Sequence, residues 1–387
     1  MKLEKYISRF YRFSTLKEVG KTGTLALSIV ALFGLFVILF LPSTTDIKEF
    51  SKVSPGGLLT LDATHVKNDD AYFHEFMKRI KKNDDVLVLG TSESGYLDGY
   101  NYWELLNADS TLEEQFSVLY GAGRFCERYI PSMVNNPEIW KNQKLLVIIN
   151  PVYWREGLSR FSLEYHERYM NEGEVRKARS KSDRKSDFDL LFGGSGVGFM
   201  KGQMNVANNW IDKNIHELYY GRLHQFFGLE QESIVHFTQH YPRTGLQART
   251  SPELLEEAKS EVLEDYNCTQ EFINTGDYLM TELFLDSEYR NAALDYFLEL
   301  CQELDVQPTF VIGPYNKILT EKNGQDAIAK QYAQLYKELQ SKFDTAGFPY
   351  IDATEISDVP HSFIDKQHHS KYGGYLLYNI IKSQLYE

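Results

Sequence analysis

Hydrophobic positions along the chain fall into three regimes, and the first is continuous. Thr24–Leu41 reads TLALSIVALFGLFVILFL, and no charged residue stands from Thr22 to Thr45. As one helix rising about 1.5 Å per residue, this run reaches roughly 27 Å, close to the roughly 30 Å hydrocarbon thickness of a bilayer. A secretory signal has a shorter apolar region followed by small residues, whereas LPSTTDI follows here, so the pattern predicts an uncleaved anchor. The flank before it carries Lys2, Lys5, Arg9, Arg12, Lys17 and Lys21 against only Glu4 and Glu18. Such a flank stays in the cytoplasm. The expected organisation is a cytoplasmic basic segment at 1–21, a transmembrane anchor at 22–42 and an extracytoplasmic domain at 43–387. The expected location is the cell membrane, with a single pass through the lipid bilayer.

The second regime is a set of short apolar runs: Val86–Leu89, Phe116–Tyr120, Leu145–Ile149, Thr309–Ile312 and Tyr350–Ile351. Each reads as a buried strand. The third has helical spacing, as in DDAYFHEFMKRIKKN, where Tyr72, Phe73, Phe76, Met77 and Ile80 share a face. Pro252–Tyr266, Tyr289–Leu304, Ala327–Phe343 and a segment starting near Tyr372 read the same way. Apolar strands alternating with amphipathic helices predict a mostly parallel sheet covered on both faces, an α/β fold of three-layer α/β/α type. Residues 46–70 read as a polar lead-in. Residues 152–250, long and aromatic, break the rhythm and are expected to form an insertion beside the sheet.

Composition narrows the function classes. The chain has 387 residues, 43% of them hydrophobic, which is enough for a substantial core. Its formal net charge is −13 with the basic flank included, and a domain so acidic is a poor ligand for nucleic acid. The aromatic share of 14% is high and is read as packing. Cys126, Cys268 and Cys301 lie at wide, unpatterned spacings, so neither a disulfide framework nor a zinc site is legible. His236 and His240 in HFTQH would share one helix face, but no Glu or third ligand accompanies them, and no metal is expected. The run GGSGVG at 193–198 lacks the strand and the basic residue of a phosphate loop. The basic segment 176–185 reads as a solvated face, with the phosphates of a polyanion as an alternative partner.

In an open parallel sheet, ligands collect beyond the carboxyl ends of the strands. After the first run stands Gly90-Thr91-Ser92-Glu93, after the second Gly121-Ala122-Gly123, after the third Asn150-Pro151 and after the fourth Gly313-Pro314-Tyr315-Asn316. Beyond the fifth lies SFIDKQHHSKYGG, with Asp365, His368 and His369. A serine hydroxyl is a weak nucleophile that needs an imidazole to take its proton and a carboxylate to hold that imidazole in one tautomer. Ser92, His368 and Asp365 can fill those roles. Backbone N–H groups of Ser92, Gly121 and Gly123 and the amide of Asn150 are the candidate donors for the oxyanion. Glu93, Asn316 and His369 are candidate substrate contacts.

A strand followed by Gly-x-Ser near the start of a domain, with D-x-x-H near its end, resembles the SGNH (GDSL-like) hydrolases. Within them the chain is most similar to the DltD family of teichoic-acid D-alanylation. An anchor, Gly90-Thr91-Ser92-Glu93, Asn150-Pro151, Gly313-Pro314-Tyr315-Asn316, Asp365-x-x-His368 and Gly373 follow the family's order over nearly the whole chain. Thr91, Asn150 and Gly313 stand where the family has Ser, Ser and Pro. The resemblance implies a serine acyltransferase or esterase without a metal or organic cofactor. It would transfer D-alanine from a carrier protein or membrane acyl intermediate to lipoteichoic acid, beside a membrane-bound O-acyltransferase. An esterase or O-acyltransferase for another envelope glycan, a thioesterase acting on D-alanyl carrier protein, and a non-catalytic assembly factor are the alternatives.

Overall fold

A seven-stranded sheet organises the α/β part of the chain, in the order β5-β1-β3-β2-β4-β6-β7. The strands are β1 (Gly57–Thr60), β2 (Val86–Gly90), β3 (Phe116–Tyr120), β4 (Lys144–Ile149), β5 (His236–Gln239), β6 (Gln307–Ile312) and β7 (Tyr350–Asp352). The computed structural model describes residues 16–40, 57–60, 69–95, 99–120, 125–154, 172–192, 236–239, 251–264, 283 and 285–386. Only β5 runs antiparallel to its neighbour; the other pairings are parallel. All five expected strands are present, and β1 and β5 extend the sheet at one edge. The chain divides into two compact units, Met1–Asp46 with Val206–Ser233 and Ile47–Asn205 with Ile234–Glu387.

Alternation along the strands explains the layers. Leu87, Leu89, Leu119, Leu145, Val147, Ile149, Phe310 and Ile312 share one core with the helices Asp69–Asn83, Glu288–Glu303 and Asp326–Ala346. Val88, Val118, Leu146, Ile148, Val311 and Ile351 share a second core with the helices Tyr102–Ala108 and Lys371–Tyr386. Successive side chains on a strand point to opposite faces, so near-continuous apolar runs bury both. In the first core Phe310 stacks on Phe343 with ring centroids 4.3 Å apart.

Strand order places the chemistry. From β2 the chain moves to β3 on one side, while β4 and β6 build out on the other. The carboxyl end of β2 is therefore a switch point, where neighbouring connections diverge and leave a crevice.

Two expectations change. Gly57–Thr60, counted as lead-in, pairs with β3 and β5. His236–Gln239 is a strand, so the shared helix face imagined for His236 and His240 does not form there; His240 lies outside the described residues. The stretch 152–250 supplies the helices Glu172–Lys181 and Lys185–Phe192 as well as β5. Cys126 and Cys301 are buried free thiols, and Cys268 and the 193–198 run lie outside the described residues.

In the other unit a helix spans Leu16–Phe40, with Leu25, Leu27, Ile29, Val30 and Leu32 exposed. Among the described residues no helix is long and apolar enough to cross a membrane.

Two glycines set how the last helix begins. A Cβ at Gly373 would lie 1.9 Å from the Ser362 carbonyl oxygen, and one at Gly374 would lie 2.2 Å from that of Tyr100. Both obstacles are backbone, which a rotamer change cannot move. Gly373→Ala is expected to lower the free energy of unfolding by on the order of 3 kcal/mol in a urea titration. A stability equal to the parent would refute the close approach.

Candidate active site

Ser92 opens a 3-10 turn, Ser92–Ser94, directly after β2. Thr91 caps it by accepting from the Glu93 N–H at 3.4 Å. Gly90 is obligatory there: a Cβ would lie 2.3 Å from Ser94 Oγ. From the second core, Ser94 Oγ is 2.6 Å from Tyr102 Oη, and Trp103 Nε1 donates to the Ser94 carbonyl at 2.9 Å. Asn101 Nδ2 donates to the carbonyls of Glu93 and Gly95 at 2.8 and 2.7 Å. Thr91 and Ser94 are buried, whereas Ser92 is partly exposed. The turn is bound on all sides except that of its first hydroxyl.

The loop before the last helix brings the other groups. Asp365 Oδ1 accepts from the N–H groups of Gln367 and His368, both at 2.7 Å, and Oδ2 lies 2.6 Å from His368 Nδ1. His368 Nε2 lies 2.9 Å from Ser92 Oγ, across 276 residues of sequence. With Asp365 ionised, Nδ1 carries the ring proton and Nε2 is left to accept from the serine. Ser370 Oγ ties the loop to the His361 carbonyl at 2.6 Å and accepts from Gly373 N at 3.0 Å. His361 itself takes a left-handed conformation, φ 65°.

Electrostatics separate the two histidines. Burial pulls His368 toward its neutral form, but the hydrogen bond and charge of Asp365, with the charge of Glu93, outweigh it and raise its pKa despite Lys366. Burial also favours the neutral acid of Asp365, but the bond and charge of His368 and the two amides lower its pKa overall. His369 is 6% exposed and packs against the Phe363 ring, and burial with the charge of His368 lowers its pKa to about 4. It is neutral at physiological pH and stands behind the loop's surface.

The other expected residues are distributed as follows. Asn316 clips the loop: its Nδ2 donates to the Asp365 carbonyl at 2.9 Å and its N–H to that of Lys366 at 3.0 Å. Its Oδ1 accepts from Leu319 N at 3.0 Å, capping the helix Lys317–Lys322. Glu93 and Asn150 are both buried, and Asn150 Nδ2 donates to Glu93 Oε1. Asn150 Oδ1 accepts from Val152 N at 2.9 Å. Among the described residues the Ser92 N–H enters no turn or side-chain hydrogen bond. Gly121 and Gly123 lie outside the described residues.

Sequence reasoning passed over one buried ion pair beneath this turn. Arg290 and Glu127 are both fully buried and 2.9 Å apart. Arg290 Nε donates to the Tyr153 carbonyl at 3.0 Å, and the guanidinium lies over the rings of Phe125, Tyr153 and Tyr289. A lone Arg in a helical pattern and a lone Glu in a loop carry no signal of meeting across 163 residues.

The basic segment is occupied by its own neighbours. Arg179 pairs with Asp189 at 2.7 and 2.8 Å, Arg184 with Asp187 and Glu299, and Lys181 donates to the Asn135 carbonyl at 3.1 Å. Much of its charge is matched within the fold. Among the described residues no group of His, Cys, Asp and Glu is placed to hold a metal ion.

Residues 260–376 match the protein-family model described as DltD protein. The match includes Asn316, Asp365 and His368, and Ser92 stands before it. No curated protein matches the chain.

Proposed function

We propose that this chain, matched to the DltD family over residues 260–376, is a membrane-anchored serine acyltransferase taking part in D-alanylation of lipoteichoic acid. The observation that carries the reading is the run of hydrogen bonds from Asp365 through His368 to the partly exposed Ser92 at the sheet's switch point. Ser92 Oγ attacks the carbonyl of a D-alanyl thioester or ester, and its proton passes to His368 Nε2. Asp365 holds the imidazole and stabilises the imidazolium. His368 returns the proton to the departing thiol or alcohol, leaving D-alanine esterified to Ser92. A hydroxyl of the polymer, or water in a hydrolytic cycle, then gives its proton to His368 and attacks that ester, restoring Ser92.

The oxyanion of each step is taken by the Ser92 N–H, with Gly121 and Gly123 as further donors. The apolar run Thr24–Leu41 and the basic flank before it support anchoring of the chain in the membrane. That arrangement puts the catalytic domain outside the cell, beside the polymer and a membrane-bound O-acyltransferase partner, with a carrier protein or a membrane acyl intermediate as the D-alanyl donor.

A serine-directed fluorophosphonate is expected to form a covalent adduct on Ser92, identified by mass spectrometry of the full chain. His368→Ala is expected to slow adduct formation by a factor on the order of 10³. Equal labelling of the parent and the His368 variant, or an adduct on another residue, defeats the reading.

A further inference from the structure

A second carboxylate stands at this site that the acyl-transfer steps do not use. Glu93 follows Ser92 directly and is 6% exposed. Its side chain accepts from Asn150 at the end of β4, and its carbonyl accepts from Asn101 before the helix Tyr102–Ala108. Asn150 in turn holds the next turn of chain, accepting from Val152 N at 2.9 Å and, through its carbonyl, from Tyr153 N at 3.1 Å. Glu93 thus sits where three elements meet. Burying a carboxylate is costly, and a neutral glutamine would accept the same Asn150 hydrogen bond at lower cost. The residue before it, Ser92, bonds His368 Nε2 at 2.9 Å, which places this carboxylate one residue from the contact to the imidazole.

We propose that Glu93 is a positioning residue with two tasks. It takes the Asn150 amide and so locks the turn carrying Ser92 to the turn after β4, and it serves His368 as a second fixed negative charge beside Asp365. The proposal rests on the acyl-transfer reading of Ser92 and His368. The titratable groups acting on the imidazole are Asp365 and Lys366 from its own loop, His369 next to it, and Glu93 from the β2 side. Asp365 fixes the tautomer by direct contact. The influence of Glu93 is electrostatic, so it falls on the proton affinity of Nε2. A further consequence concerns Asn150: one N–H of its amide goes to Glu93, so its removal also loosens the Ser92 turn, in addition to any loss of an oxyanion donor.

Glu93→Gln keeps an acceptor for Asn150 and deletes the charge, whereas Glu93→Ala deletes both. The full chain, carrying ¹³C-labelled histidine, is titrated by NMR, with the His368 signal assigned from its absence in His368→Gln. Fluorophosphonate labelling of Ser92 is followed against pH in parallel. Removing a negative charge destabilises the imidazolium, so Glu93→Gln is expected to lower the His368 midpoint by about half a pH unit or more. The acid limb of the labelling profile moves down with it, at an unchanged melting temperature. Glu93→Ala is expected to slow labelling about tenfold at all pH values.

A His368 midpoint identical in the parent and Glu93→Gln overturns the proposal, as does labelling of Glu93→Ala at the parental rate. A parent that never labels counts against the acyl-enzyme itself, and the NMR titration still decides whether Glu93 acts on His368.

Discussion

Ser92→Ala is expected to reduce D-alanyl transfer at least 10³-fold while leaving the melting temperature within about 1 °C of the parent. The magnitude follows from chemistry: without the nucleophile only binding and oxyanion stabilisation remain, and these leave a small residue of the full rate acceleration. The unchanged stability follows from the structure. Ser92 is partly exposed, and its hydroxyl bonds to His368 Nε2 at 2.9 Å rather than to the core. Gly90, Thr91, Ser94 and Asn101, which hold the turn, are untouched. The measurement is ester-linked D-alanine on the cell-wall polymer in cells whose own copy is replaced by the variant. Full restoration would defeat the enzymatic reading and favour an assembly factor that recruits a membrane acyltransferase.

Arg290→Met is expected to be the most damaging single change for stability, costing on the order of 3–5 kcal/mol in a urea titration. The loss arises because Glu127, fully buried, keeps its charge when its partner goes. The guanidinium's hydrogen bond to the Tyr153 carbonyl and its contacts with three aromatic rings go as well. Replacing both partners, Arg290→Met with Glu127→Met, removes the stranded charge and is expected to recover at least half of the loss. A double variant as unstable as the single would show that the hydrogen bond to Tyr153 and the ring contacts, rather than charge compensation, dominate. Because Tyr153 lies in the turn after β4, the single variant is also expected to slow labelling of Ser92.

β2, β3, β4, β6 and β7 were legible because each is a short apolar run ending in small or hydrogen-bonding residues, and burial on both faces demands that pattern. The helices 69–83, 288–303 and 326–346 were legible because one face of each meets the sheet. β1 and β5 were not. Gly57–Thr60 is four residues long within a polar stretch, and His236–Gln239 mixes imidazole, hydroxyl and amide with a single Phe. Such segments become strands by what they pair with. In the candidate site, Ser92, Asp365 and His368, which the fold brings into one run of hydrogen bonds, could be singled out because acyl transfer demands particular residue types beyond the strand ends. Glu93 was noticed only as a substrate contact, since nothing in its letter reveals that it faces Asn150, 57 residues away. His369 and Asn316 read as polar groups near the chemistry; the fold buries one against Phe363 and uses the other to clip the loop.

The glycine pair at the start of the last helix bears on timing. Backbone meets backbone there, at Ser362 and at Tyr100, so the loop carrying His368 finds its place only when that helix docks on the segment just past Ser92. Ribosomes deliver Ser92 long before Gly373. Until the C-terminal helix has packed, Ser92 lacks the hydrogen bond to His368 that it makes in the folded chain. On the proposed function, a copy whose C-terminal helix has not packed would carry a Ser92 without its base.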